Sequence, residues 1–176
     1  MRKIETTVYN IDELTGEARN VAISELSEVY SRFVTDLDIP ELIQSIGKAG
    51  DAFGHALTDY SVGIYAHSYI EVSSDYWDDM DTEDQQAFIN ILKESAEDGR
   101  SGSCPFTGVY YDCFFFDYFK GIGLTVDNFS YHVINAMDYM KTEGVKSIGS
   151  EIESVEVLED FAEVNGYEFT ENGNIF

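Results

Sequence analysis

The chain has 176 residues, 44% of them hydrophobic and 14% aromatic, with 34 acids against 10 bases and a formal net charge of −24. That apolar content suits one compact domain over residues 1–176 and excludes a disordered chain, while no apolar run approaches the roughly 18 residues of a membrane span. A surface so acidic repels nucleic-acid phosphates and draws in basic proteins, so no direct nucleic-acid binding and no membrane partner is expected.

Lys3–Asn10, "KIETTVYN", reads as a strand from its β-branched residues. Thr15 is placed to cap the next helix, with Glu17 in its first turn, and Ala18, Ala22, Leu26, Val29 and Phe33 form one apolar stripe. A second helix is expected to start at Pro40 and weaken at Gly47 and Gly50. His55–Ser73 looks like one long strand or a bent pair, with Tyr65, His67, Tyr69 and Glu71 on one face. Thr82 and Gln85 have capping-box spacing ahead of Phe88, Ile91, Leu92 and Ala96, a helix that should stop at Gly99. "GRSGSCPFTG" is a loop by composition. "VYYDCFFFDYFKG" must supply core residues, with the remainder a possible exposed patch. Thr125 caps a helix carrying Phe129, Val133, Met137 and Met140, with Gly144 as its stop. A last helix over "SEIESVEVLEDFAEVNG" turns Ile152, Val155, Leu158 and Phe161 inward, and "YEFTENGNIF" suggests a hairpin turned at Asn172-Gly173. The expected fold is α+β: a small, mostly antiparallel sheet covered by about five helices, closed by a C-terminal hairpin.

Few residues point to chemistry. Asp79, Asp81 and Glu83 have the opening spacing of a calcium loop, but such a loop needs Gly and Glu where Asp84 and Asn90 stand. Cys104 and Cys113 fit neither a disulfide framework nor a zinc pattern, and the N-terminus lacks the apolar stretch of a secretory signal, so a cytoplasmic protein with reduced thiols is expected. No metal and no cofactor is implied. His55, His67 and His132 are far apart in sequence; His67, near Glu71, is the one weak catalytic candidate, as a general acid–base group.

The acids themselves are the strongest signal. Asp75, Asp78, Asp79, Asp81, Glu83 and Asp84 crowd around the sole tryptophan, Trp77, and more acids than a helix start requires stand there. Glu153, Glu156, Glu159 and Asp160 make a second acidic face. Both are candidate partner-binding surfaces, with Trp77 and nearby tyrosines as apolar anchors.

Two terminal stretches, "TTVYNIDELTGEARNVAISEL" and "VLEDFAEVNGYEFTENGNIF", together with "SCPFTGVYYD", resemble a group of small acidic phage and prophage proteins that open on a strand and "DELS-EEAK-KA" and close on "N-YEFTEDG". Members of that group carry an antitoxin-like label, and related small acidic phage proteins include inhibitors of CRISPR nucleases. The resemblance implies a mobile-element origin and carries no catalytic residue over. The function it implies is counter-defence in an infected or lysogenic bacterial host. An anti-CRISPR would bind a basic nucleic-acid-binding surface of a Cas9-like effector nuclease or its guide-RNA complex. Neutralising a basic toxin, or truncating the effector's guide RNA, are the alternatives.

Overall fold

The computed structural model describes residues 7–97 and 105–176, which form an α+β fold with six α-helices and one two-stranded antiparallel sheet among them. In chain order these are α1 (Gly16–Asp51), β1 (Ala56–Ser61), β2 (Tyr69–Ser73), α2 (Asp75–Asp78), α3 (Thr82–Glu97), α4 (Asp112–Phe119), α5 (Val126–Glu153) and α6 (Val155–Asn165), after a 3₁₀ turn at Ile11–Glu13. The described residues divide into two compact units, one of 7–36 with 148–176 and the other of 37–97 with 105–147.

In the first unit, Ala22, Leu26, Tyr30 and Val34 are the buried stripe of α1. Steps of four residues each turn the stripe by about 40° on a helix of 3.6 residues per turn. It therefore winds away from the expected Val29 and Phe33, and Phe33 is left 47% exposed. The Tyr30 ring meets Phe161 edge-on at 5.0 Å, and its hydroxyl donates to Glu151 at 3.3 Å. One continuous helix was expected near the C-terminus, but Ser154 breaks it: α5 ends at Glu153, and the Ser154 hydroxyl accepts the Val157 amide of α6 at 3.4 Å. Leu158 and Ala162 face inward, while Val155, expected inward, is 48% exposed.

The expected first strand lies mostly outside the described residues, and the expected closing hairpin is present only as isolated bridges. Residues 1–6 lie outside the described residues, and Tyr9 forms only an isolated antiparallel bridge with Phe169. Phe169 bridges in turn to Ile175, and Thr170 N donates to Asn174 O at 2.9 Å. This is a closed turn, without the paired strands of a hairpin. The tail is instead held through side chains: the buried Phe169, and Ile175 N donating to the Glu25 carboxylate at 2.6 Å.

In the second unit α1 runs on through Pro40, where a new helix was expected. Proline removes one helical N–H, whose partner is the carbonyl of Asp36. Asp36 and Pro40 are both exposed, so water can satisfy that carbonyl, and Ile39, Leu42, Ile46 and Ala49 continue the buried face. Gly144, expected to stop a helix, lies inside α5. A Cβ there would sit 2.5 Å from a Leu42 methyl, so the glycine serves close helix approach. The segment read as a long strand or bent pair is the β1–β2 hairpin, pairing Ala56 with Ser73 through Ser61 with Tyr69 and interrupted by a bulge between Leu57 and Asp59.

The aromatic segment is mostly core. Tyr111, Phe115, Phe116 and Phe119 are buried, Phe115 stacks on Phe53 at 5.4 Å, and Phe116 stacks on Phe106 at 5.4 Å; Tyr110 is the half-exposed member. Asp112, fully buried at the start of α4, accepts from Phe106 N (2.9 Å), Thr107 N (2.8 Å) and the Thr107 hydroxyl (3.0 Å). It fixes the turn ahead of α4. The expected helix stop at Gly99, the loop's first half and Cys104 lie outside the described residues.

Candidate functional site

Gly54 turns the chain after α1 with a φ of +75°, a conformation in which a side chain is strained. Its carbonyl accepts the Trp77 amide at 3.2 Å, and a Cβ at this position would sit 3.2 Å from the Tyr76 ring and 3.6 Å from the Met80 methyl. Trp77 is 3% exposed and stacks on Phe129 of α5 with ring centroids 4.3 Å apart. The expectation that Trp77 anchors a partner is therefore corrected: the indole is core and is unavailable at the surface. It pins α2, whose four residues are too few to hold themselves as a helix in water. Gln85 of α3 donates to the Trp77 carbonyl at 3.0 Å and fixes α3 against the same point.

Beside the indole lies His55, 1% exposed, with its ring 6.1 Å from that of Trp77. Its Nδ1 is 2.7 Å from the Phe53 carbonyl, which can only accept, so Nδ1 carries the proton and Nε2 accepts from the Ser130 hydroxyl at 2.8 Å. Burial pushes His55 below its ordinary value of 6.5, and the Phe53 carbonyl and the Asp78 charge only partly oppose this. The sign follows from linkage. Above pH 6.5 both folded and unfolded chains hold His55 neutral; below it the unfolded chain takes up a proton first, so folding weakens until the lowered folded value is passed. Thermal melts from pH 7.5 downward are expected to show a fall in Tm that His55→Gln flattens; identical pH profiles for the two proteins would show that His55 contributes nothing to it.

Around this pinned core the acids face outward. Asp75, Asp78, Asp79, Asp81, Glu83 and Asp84 are all exposed, and no ion pair among the described residues includes any of them. Two have local duties. Asp81, rather than the expected Thr82, caps α3: its Oδ1 accepts the amides of Glu83 (3.0 Å) and Asp84 (2.9 Å). Asp78 accepts the Ser74 hydroxyl at 2.9 Å. The side-chain oxygens of Asp75, Asp79, Glu83 and Asp84 are left facing solvent.

The acids border an apolar groove that sequence reasoning missed. Tyr76, Met80, Asp84, Ala87, Phe88 and Ile91 line about 340 Å³ of open space between α2 and α3. Tyr76 is 69% exposed and Ile91 53%. A legible signal existed, since Asp84, Ala87, Phe88 and Ile91 fall at i, i+3, i+4 and i+7, but the same spacing reads equally as a buried stripe. The buried stripe is in fact Ile89 and Leu92.

The second acidic face is weaker than expected and belongs to the other unit. Glu159 is taken up by Arg19 in an ion pair, leaving Glu153, Glu156 and Asp160 exposed. His67 is exposed in the 62–68 connection, rather than on a strand face. It shares an open groove of about 270 Å³ with Lys141, whose ammonium is already held by Asp138 (2.5 Å) and the Ser68 carbonyl (3.3 Å). Among the described residues, no cluster of three His, Cys, Asp or Glu side chains is arranged to hold a metal ion, and no helix is long and apolar enough to cross a membrane. In comparisons with protein-family models, curated proteins and solved structures, nothing matches the chain.

Proposed function

We propose that the protein is a binding inhibitor of the counter-defence type, an anti-CRISPR acting in the bacterial cytoplasm, whose α2–α3 face takes the place of nucleic acid on a basic surface of a CRISPR effector nuclease. The observation that carries this reading is the pairing of unneutralised carboxylates with an exposed apolar groove, both on helices fixed to the core by Trp77 and Gln85. Rigid, unpaired carboxylates are the arrangement that competes for Lys and Arg side chains without first breaking internal ion pairs. The resemblance of the termini to small phage proteins supplies the choice of partner.

Capture of the effector is expected to fall steeply as salt rises from about 0.1 to 0.5 M, because screening shortens the reach of exposed charges. The triple variant Asp79→Asn/Glu83→Gln/Asp84→Asn is expected to weaken binding about ten-fold or more while changing unfolding free energy by less than about 1 kcal/mol. A pull-down that is empty, or indifferent to salt, removes the proposal. Neutralisation of a basic toxin would use the same face, and rescue of growth on co-expression with a candidate toxin would favour it. Guide-RNA truncation would rest on the solvent-exposed His67 or on the acidic cluster; intact effector RNA after incubation with the protein removes that alternative.

A further inference from the structure

We infer that the groove between α2 and α3 receives an amphipathic helix, apolar along one stripe and Lys- or Arg-rich beside it, presented by the partner protein. The inference rests on the reading of this face as protein-binding and adds what shape of element it binds.

The groove's shape favours a helix. One wall is the α3 stripe Asp84, Ala87, Phe88 and Ile91, about 10 Å long at 1.5 Å per residue, or two helical turns. The other wall is Tyr76 and Met80, which pack over Gly54, where a Cβ would come within 3.2 Å of the Tyr76 ring. Phe88 leans on the core ring of Phe53, at 6.3 Å, so the floor is fixed. The α3 wall is helical, and on the other wall the amides of Trp77, Asp78, Asp79 and Met80 already donate to backbone carbonyls. The groove therefore offers side-chain surface and no open row of amides and carbonyls, whereas an extended peptide laid there would leave its own backbone groups without protein partners. A helix brings its backbone bonds with it and needs only an apolar stripe of matching length.

Charge decides between possible occupants. Asp84 lies in the groove, Asp75 precedes Tyr76 on α2, Asp79 follows the end of α2, and Glu94 extends the α3 side, all exposed. The base on α3, Lys93, lines a different hollow with Lys120 and Phe119. A second copy of this chain, also at −24, meets repulsion, as does an anionic lipid surface or a nucleic acid. A helix with bases flanking its apolar stripe meets complementary charge on both sides of the groove.

The probes are synthetic peptides of about 18 residues built from Leu and Lys. One is patterned with an apolar stripe at helical spacing, one has the same composition in scrambled order, and one has the helical pattern with Gln in place of Lys. Calorimetric titration into the full chain is expected to give binding about ten-fold tighter for the patterned basic peptide than for either other. Ile91→Asp and Tyr76→Ser, both at exposed positions, are each expected to cost about ten-fold against that peptide with Tm unchanged, while Val164→Asp, exposed elsewhere at 84%, costs nothing. Equal affinity for patterned and scrambled peptides, or full affinity in both groove variants, overturns the inference. The same variants separate it from the reading beneath it. Effector capture that survives Ile91→Asp but fails in the Asp79/Glu83/Asp84 variant leaves electrostatic inhibition standing and removes the helix. Groove-dependent peptide binding without effector capture keeps the helix and removes the anti-CRISPR function.

Discussion

Trp77→Ala is expected to lower the unfolding free energy by about 3–5 kcal/mol, the range for emptying a large aromatic site in a packed core. The indole is 3% exposed and stacks on Phe129, and its removal leaves α2 with little to hold it. Partner capture should fall with it, because α2 carries Asp75, Asp78, Tyr76 and one wall of the groove. Urea unfolding followed by far-UV circular dichroism measures the first effect and pull-down the second. The contrast with a surface anchor is sharp: a tryptophan that served the partner directly would leave the urea midpoint unmoved while capture disappeared, and that outcome would overturn the assignment of Trp77 to the core. Trp77→Phe should recover most of the stability, since a ring remains against Phe129.

The second large effect is expected at a residue outside the proposed binding face. Asp112→Ala should cost about 3 kcal/mol or more, because one buried carboxylate accepts from two backbone amides and a hydroxyl, and each donor left unpaired costs about 1–3 kcal/mol before water enters. The Thr107 hydroxyl also meets that of Ser45 at 2.9 Å, so the loss reaches α1. Asp112→Asn keeps one acceptor oxygen and should cost less. Equal midpoints for the Ala and Asn variants would mean that the hydrogen bonds carry little of the stability. Effector capture, scaled to the folded fraction, should be unchanged in both.

The fold class and most helices were legible because apolar periodicity marks them directly: Phe129, Val133, Met137 and Met140 are buried as their spacing predicts. The errors share a cause. Pro40, Gly144 and the stretch around Ser154 were read by local propensity, and tertiary surroundings decided each one. Exposure of Asp36 and Pro40 to solvent tolerates the proline, the Leu42 side chain requires Gly144 to be small, and the Ser154 hydroxyl turns one expected helix into two. At the candidate site the acids were visible and their availability was not, since sequence does not show that Arg19 occupies Glu159 while, among the described residues, Asp75, Asp78, Asp79, Asp81, Glu83 and Asp84 form no ion pair. Trp77 was misassigned for the same reason. A tryptophan among six acids looks exposed until Phe129, 52 residues on, is seen against it.

That burial also makes the molecule its own optical gauge. The chain has a single indole, and it packs against Phe129 and beside the imidazole of His55, on the buried side of α2. Its emission comes from one address, with no second tryptophan to blur it. A blue-shifted band means α2 is seated. A red shift means water has reached the indole. Seating of the helix that bears the acids can thus be followed by light, without a label.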